Sequence, residues 1–160
     1  MTAEDVKKLL GLAPHPREGG WYVRTWESAE TVATGVGERR TSTAIYYLLE
    51  PGTFSEMHRL ASDEIFHHYL GGPVEMLQLF PDGSSARVLI GNDIEAGERP
   101  QVVVRRGVWQ GSRLLSGEFA LLGCTVSPGF EFVDYEAGSF KALSAGWAAE
   151  AEMIAALTRR

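Results

Sequence analysis

Apolar and polar positions alternate along most of the chain, from about residue 18 to residue 135. This period of two is typical of strands that bury one face. Turn sequences such as Pro51-Gly52, Pro81-Asp82-Gly83 and Pro128-Gly129 divide the pattern into short segments. Strands are predicted at residues 21–26, 43–49, 55–60, 65–69, 74–80, 86–90, 101–105, 108–115, 119–126 and 130–135. Many short strands at this spacing predict an all-β sandwich or barrel.

The two ends of the chain have helical patterns instead. Thr2 and Asp5 have the spacing of a weak capping box and precede an apolar stripe, so a short helix is predicted in the first dozen residues. The alanine-rich tail, residues 139–158, predicts a helix packed on the barrel, with Gly146 as its weak point. Residues 29–40, rich in Gly, Ala and Thr, are predicted to form a mobile loop.

Composition and charge narrow the class of protein. The 160 residues are 44% hydrophobic and 22% charged, which predicts one globular domain, residues 1–160. A net charge of -6 argues against a nucleic-acid or anionic-membrane surface. The single cysteine, Cys124, is predicted to be a buried apolar residue in a reducing compartment. Neither a signal pattern nor a membrane-length apolar run is seen, so a cytoplasmic location is expected.

The candidate chemistry lies between Gly52 and Gly71, which enclose three of the four histidines. Residues two apart on a strand share a face, so a hairpin would bring His58, Glu64 and His68 together inside the barrel. Two imidazoles and a carboxylate suit Zn²⁺, Fe²⁺, Mn²⁺ or Ni²⁺. His67 has the opposite parity and is predicted to face outward. The alternative is that these histidines are hydrogen-bonded structural residues with no metal.

Other candidates for the pocket are aromatic or basic. Arg24 shares parity with Tyr22. If it faces inward, its guanidinium suits a carboxylate or phosphate group of a ligand. The alternative is a surface arginine that packs among aromatic residues. Tyr46 and Tyr47 have opposite parity, and the sequence does not decide which of them faces the pocket. Trp109 is predicted to be a core or pocket-wall residue.

Two further residues have an open interpretation. His15, between two prolines, is predicted to be a loop residue. Asp134 is either a partner for an imidazole or a solvated edge residue.

The spacing of this segment resembles the first motif of the cupin superfamily. Gly52, His58, Glu64 and Gly71 stand at the motif positions, and Leu60 occupies the slot of the second histidine. The second motif is matched at Gly107, with Arg105 in place of the proline and Gln110 in place of the histidine. The substitutions at Leu60 and Gln110 each remove a histidine that the motifs use as a metal ligand, and a glutamine carbonyl is a weak, neutral ligand. Any metal would then keep at most His58, Glu64 and His68, with Gln110 as a weak fourth ligand, and the alternative is that no metal is bound.

Within the superfamily, the chain is similar to the small DUF985 (Cupin_5) group, sometimes labelled predicted sugar epimerases. The matching segments run in order through almost the whole chain: residues 12–24, 43–49, 58–67, 107–110 and 128–136. The resemblance implies a double-stranded β-helix, the cupin jelly-roll barrel, usually as a homodimer.

Three functions remain open at this point. The first is an isomerase or epimerase for a small sugar- or nucleotide-like molecule, with His58 as base, Glu64 fixing its tautomer, and an inward tyrosine or His68 supplying the proton. In this hypothesis Arg24 anchors an anionic group, and a divalent ion, if bound, polarises the carbonyl. The second is a small-molecule-binding protein without turnover, which the losses at Leu60 and Gln110 favour. The third is a metal-dependent oxygenase.

Overall fold

The structure, a computed structural model, describes residues 1–159, and these residues contain thirteen strands. A six-stranded antiparallel sheet has the order β1 (Ala13–Pro14), β2 (Trp21–Glu27), β5 (Thr43–Leu49), β12 (Ala120–Ser127), β7 (Asp63–Gly71) and β10 (Gln101–Val104). A five-stranded antiparallel sheet has the order β13 (Glu136–Ala137), β6 (Phe54–Arg59), β11 (Trp109–Leu114), β8 (Val74–Leu79) and β9 (Ser85–Ile90). This architecture confirms the predicted all-β jelly-roll barrel.

A helix at the N-terminus, α1 (Ala3–Leu10), confirms the first helical prediction. The Thr2 hydroxyl accepts a hydrogen bond from the Asp5 amide at 3.2 Å, and the Asp5 carboxylate accepts one from the Thr2 amide at 2.8 Å. This reciprocal pair satisfies amides that have no partner inside the helix. Gly11 ends α1 in the left-handed conformation.

The C-terminal helix is divided in two. The segments α2 (Phe140–Gly146) and α3 (Ala151–Ala156) are separated at Trp147 and a 3-10 turn, Ala148–Glu150. The first helix ends at the predicted weak point, Gly146. The Trp147 indole donates to the Ser84 carbonyl at 3.0 Å and so ties the break to the barrel.

Two sequence predictions of local structure are wrong. Residues 29–40 are not a mobile loop, because β3 (Thr31–Thr34) and β4 (Gly37–Arg40) pair as a hairpin. Residues 130–135 are not a strand, since they contain a 3-10 turn, Phe132–Asp134. The alternating aromatics there form a wall at the barrel mouth, with the Phe130 and Phe132 rings 5.1 Å apart.

One ion pair joins the two mispredicted segments. The Arg39 guanidinium donates to both Asp134 carboxylate oxygens, at 2.7 and 2.6 Å. Asp134 is therefore a structural anchor rather than an imidazole partner or a solvated edge residue. The hairpin holds the 130–135 segment in place through this contact.

The barrel interior is packed at one end and open at the other. Apolar side chains from both sheets fill the packed end, with Tyr47, Phe66, Met76 and Leu122 among them. A second apolar cluster lies between the five-stranded sheet and the C-terminal helices, where Leu77, Leu79, Ile154 and Leu157 are fully buried. Burying side chains of this size supplies the main stabilising energy of such a fold. The open end contains the candidate site.

None of the helices within residues 1–159 is both long enough and apolar enough to cross a membrane.

Candidate functional site

A cavity of about 430 Å³ occupies the open end of the barrel. This volume is within the range of small-molecule sites. Its polar lining comes from the loop before β2, from β2 itself, and from one strand of each sheet facing the other. The ionisable and aromatic residues around it are His15, Glu18, Tyr22, Arg24, His58, Glu64, Cys124, Phe130, Glu131, Phe132 and Tyr135.

His58 lies on β6 and is almost wholly buried. Its Nδ1 is 2.6 Å from the carbonyl oxygen of Glu56. Because a carbonyl only accepts, Nδ1 must carry the hydrogen, and Nε2 of the neutral ring is left as the basic nitrogen. The Tyr135 ring stacks on the imidazole, with centroids 4.9 Å apart and planes 18° apart. A backbone carbonyl therefore fixes the tautomer of His58. The sequence hypothesis had assigned this role to Glu64.

Glu18 faces the basic nitrogen of His58. Its Oε2 lies 3.1 Å from His58 Nε2 and also accepts a hydrogen bond from the Ser55 hydroxyl at 3.0 Å. Burial raises the pKa of Glu18 to about 8 and lowers the pKa of His58. At neutral pH Glu18 is consequently a carboxylic acid and His58 a neutral imidazole. The two residues share the carboxyl proton between Glu18 Oε2 and His58 Nε2.

His15 sets the position of Glu18. Its Nδ1 accepts hydrogen bonds from the backbone amides of Arg17 at 3.2 Å and Glu18 at 3.0 Å. The hydrogen of the neutral ring must therefore lie on Nε2, which faces Glu18 Oε1 at 3.7 Å. Burial, and then the charge of His58, lower the pKa of His15 to about 4. This loop histidine keeps Glu18 aimed at the cavity while remaining uncharged itself.

Glu64 lies on β7, in the sheet opposite His58, and is also buried. Its Oε1 accepts a hydrogen bond from the Gln110 side-chain amide at 2.8 Å. Burial raises the pKa of Glu64 to about 7, and the neighbouring Glu18 acts in the same direction. Gln110 thus contacts the site through Glu64 and does not itself line the cavity.

Tyr22 and Arg24 both line the cavity from β2, as their shared parity predicts. The Arg24 guanidinium donates to the Phe130 carbonyl at 3.1 Å and lies 3.5 Å from the Glu27 carboxylate. It therefore stands at the mouth and holds the aromatic wall.

Three other sequence candidates lie outside the cavity lining. Tyr47 faces inward and belongs to the apolar cluster, and its hydroxyl donates to the Gly19 carbonyl at 2.6 Å, in the loop that carries Glu18. Trp109 packs against the C-terminal helices, with the Arg59 guanidinium 4.5 Å from its ring. His68 shares the buried face of β7 with Glu64, but at ~3.3 Å per residue it lies about 13 Å further along the strand. Its Nε2 is 2.9 Å from the Gly72 carbonyl oxygen.

Sequence reasoning did not identify Glu18, His15 or Tyr135 as site residues. Strand parity does not apply to loops, so it gave no direction for the side chains of residues 15–20. The available signal was the order of a histidine followed by a glutamate, which His15 and Glu18 share with His58 and Glu64. Tyr135 was assigned to a strand that does not form.

The four tentative metal donors do not fit a common ion. His58 directs its two nitrogens at Glu56 and Glu18, Gln110 directs its amide at Glu64, and His68 is at the packed end. The side chain of Leu60 lines the cavity and offers no donor. Within residues 1–159, no group of three or more His, Cys, Asp and Glu side chains is arranged to hold a metal ion. No step of the chemistry proposed below passes through a metal.

The buried acids predict a distinctive dependence of stability on pH. Glu18 and Glu64 bind protons more tightly in the folded chain than in the unfolded chain, where their pKa is near 4.5, so the free energy of unfolding decreases as pH rises towards 8. The lowered pKa values of His15 and His58 have the opposite effect and make the free energy of unfolding increase with pH, but only below about pH 6.5. Between pH 6.5 and 8.5 the two acids contribute most, and stability should fall.

Urea unfolding at several pH values in that window tests this prediction. Glu18→Gln should flatten the fall, because the amide resembles the protonated acid and does not ionise. The exposed Glu118→Gln is the matched control and should retain the wild-type slope. Equal slopes in both variants would show that Glu18 is already ionised at pH 6.5.

Three proteins about one-third identical to this chain match most of its length. The chain is similar to a hypothetical protein from Leishmania major, with 32% identity, full coverage of both chains and a TM-score of 0.94. It is similar to protein SO0799 from Shewanella oneidensis, with 35% identity, 99% of this chain and 98% of that chain covered, and a TM-score of 0.91. The uncharacterised protein YML079W of Saccharomyces cerevisiae is 32% identical over an alignment of 134 residues that covers 74% of this chain and 67% of the yeast protein.

A more distant likeness concerns the fold alone. Oxalate decarboxylase from Bacillus subtilis, a protein with Mn(II) centres, is 17% identical, with a TM-score of 0.56 over 91% of this chain and 37% of the decarboxylase chain.

The family itself is shown directly by sequence. The family model described as Cupin superfamily (DUF985) matches residues 4–138, which is most of the chain and includes every polar residue of the cavity. Together with the jelly-roll barrel and its two close structural relatives, this match shows that the chain belongs to the DUF985 family of the cupin superfamily.

Proposed function

We propose that the chain is an isomerase or epimerase for a small sugar-like molecule that carries a carbonyl group. One observation supports this most strongly: Glu18 and His58 form a buried acid–base pair, 3.1 Å apart, on the wall of a cavity of small-molecule size. Removal of a proton from carbon needs a base and an acid whose pKa values lie near the working pH. A neutral imidazole next to a protonated carboxyl group meets both needs.

In the proposed reaction, the ligand enters between the pair. His58 Nε2 takes the proton from the carbon next to the carbonyl, so that the C–H electron pair forms the C=C bond of an enediol. The Glu18 O–H donates its proton to the carbonyl oxygen in the same step. Return of a proton from His58 to the neighbouring carbon gives the isomer, while Glu18 recovers a proton from the other hydroxyl.

Epimerisation requires a second proton donor on the other face of the same carbon. Glu64 is the candidate, because it extends into the cavity from the opposite sheet. Tyr22, Phe130, Phe132 and Tyr135 provide flat walls for a sugar ring, and polar groups at the base provide orientation. For Arg24 to anchor an anionic group, that group would have to compete with Glu27 and the Phe130 carbonyl.

The alternative functions predict different behaviour. A binding protein without turnover would hold the same ligand but leave its carbon-bound hydrogen in place. A metal-dependent oxygenase would need donors that converge. Of the residues suggested for that role, His68 lies at the packed end and Gln110 directs its amide at Glu64. The acid–base pair therefore favours the isomerase over both.

Hydrogen exchange distinguishes turnover from binding. The chain, treated with chelator, is incubated in D₂O with a panel of aldoses and ketoses, and deuterium at the carbon next to the carbonyl is followed by ¹H NMR. The proposal expects incorporation above the buffer rate for at least one member of the panel. Ligand binding without incorporation would support the binding protein instead.

The homodimer that the family resemblance implies remains a prediction. The outer face of the six-stranded sheet exposes Trp26, Tyr69 and Val103, and a dimer would remove these side chains from water. Sedimentation analysis of the chain would test it.

A further inference from the structure

The charges that line the cavity are unbalanced. Glu18, Glu64 and Glu131 contribute carboxyl groups, whereas Arg24 is the one lysine or arginine among the lining residues of the described chain, and it already contacts Glu27 and a carbonyl. The chain as a whole has a net charge of -6. A phosphorylated or nucleotide ligand would find no unpaired lysine or arginine among these lining residues to bind its phosphate.

Glu64 has an unused acceptor inside the cavity. The residue is only 7% exposed, and Gln110 occupies its Oε1. Among residues 1–159, no group donates a hydrogen bond to its Oε2 and no lysine or arginine pairs with it. A buried carboxylate without a cation is costly, so a ligand that brings a positive charge gains more here than a neutral one.

The walls around this carboxyl group suit the same kind of ligand. Tyr22, Phe130, Phe132 and Tyr135 surround the space between Glu64 and the mouth. Aromatic rings attract a cation through their faces while excluding water from it. The two buried histidines, His15 and His58, remain neutral near pH 7 and so do not repel it.

We propose that the cavity binds a small hydroxylated molecule with a protonated amine, an amino sugar in chemical class, and that Glu64 receives the ammonium group. This inference rests on the proposed function and deepens it. With Glu64 engaged by the substrate, only the Glu18–His58 pair is left to move protons. A single acid–base pair suits isomerisation through an enediol and not epimerisation, which needs a second donor.

Isothermal titration calorimetry at pH 7.0, close to the pKa of Glu64, with three matched probes tests the proposal: D-glucosamine, D-glucose and D-glucose 6-phosphate, each in the presence of EDTA. Glucosamine should bind ~10-fold or more tightly than glucose, as expected for one charge-assisted hydrogen bond, and the phosphate should bind most weakly. Glu64→Gln should reduce the preference for glucosamine to less than about 3-fold. The exposed Glu118→Gln should leave it unchanged.

Several results would overturn the proposal. Equal binding of the three probes, binding of none, or tighter binding of the phosphate would each do so. A preference for glucosamine that survives in Glu64→Gln would place the amine elsewhere, and one seen only with added Mn²⁺ and without EDTA would show that a metal ion fills the acidic site.

The failure of this inference and of the proposed function can be separated. Deuterium incorporation into a neutral sugar without any preference for the amine would leave the isomerase intact and reject the amine site. A Glu64-dependent preference for the amine without incorporation into any sugar would do the reverse.

Discussion

Replacement of His58 by glutamine should lower the rate of deuterium incorporation by about 10²–10⁴-fold, the usual contribution of a positioned general base. Glutamine keeps a hydrogen-bonding group beside Glu18 but cannot accept a proton at neutral pH. The matched control is His67→Gln, since His67 lies on the outer face of the six-stranded sheet beside Tyr69. That control should retain the wild-type rate.

Glu18→Gln tests the other half of the pair. If Glu18 supplies the proton to the carbonyl oxygen, the glutamine variant should lose deuterium incorporation by a factor of the same order. The double variant, His58→Gln with Glu18→Gln, should be little worse than either single one. Multiplicative losses would mean that the two residues act independently. A His58→Gln protein as active as wild type would reject the proposed mechanism.

Gly20→Ala is expected to cause a large loss of stability close to the site. Gly20 has a φ of 72°, and a Cβ there would lie 2.7 Å from the Tyr47 hydroxyl and 2.9 Å from the Leu48 carbonyl. The left-handed conformation costs an alanine about 1–2 kcal/mol, and overpacking adds ~1–3 kcal/mol. The Tyr47 hydroxyl also holds the Gly19 carbonyl, so any shift would displace Glu18.

Gly11→Ala provides a matched control for this prediction. Gly11 has nearly the same φ, 68°, but a Cβ would meet no atom within 4 Å. Urea unfolding should therefore show the conformational cost of ~1–2 kcal/mol alone. Equal losses in the two variants would show that the loop around Gly20 relaxes without cost.

The barrel could be predicted from sequence because its signals are local and repeated. Period-two alternation and glycine turns identify strands wherever one face is buried, and a capping box identifies α1. The hairpin at residues 31–40 was missed because its strands are short and largely exposed, so they carry little apolar alternation. Apolar and polar residues also alternate in the 130–135 segment, but it does not form a strand, because its aromatic side chains line the mouth of the cavity.

The site was predictable only in part, for a related reason. Parity placed His58, Glu64, Tyr22 and Arg24 on inward faces, and all four line the cavity. Parity carries no information on position along the barrel axis, so His68 was assigned to the pocket although it lies at the packed end. Tyr47 was also assigned to the pocket, but its hydroxyl donates to the Gly19 carbonyl and does not line the cavity. Glu18 comes from a loop, and its direction depends on hydrogen bonds to His15 that no periodic pattern encodes.

The state of the His58 ring tests the account most directly, because it requires no knowledge of the substrate. The four histidines can be assigned by single substitutions, and ¹⁵N NMR then reports which ring nitrogens of each carry hydrogen. At pH 7 the account predicts a neutral His58 with its hydrogen on Nδ1, facing the Glu56 carbonyl, and a basic Nε2 facing protonated Glu18. An imidazolium ring at pH 7, or a neutral ring with its hydrogen on Nε2, would contradict it.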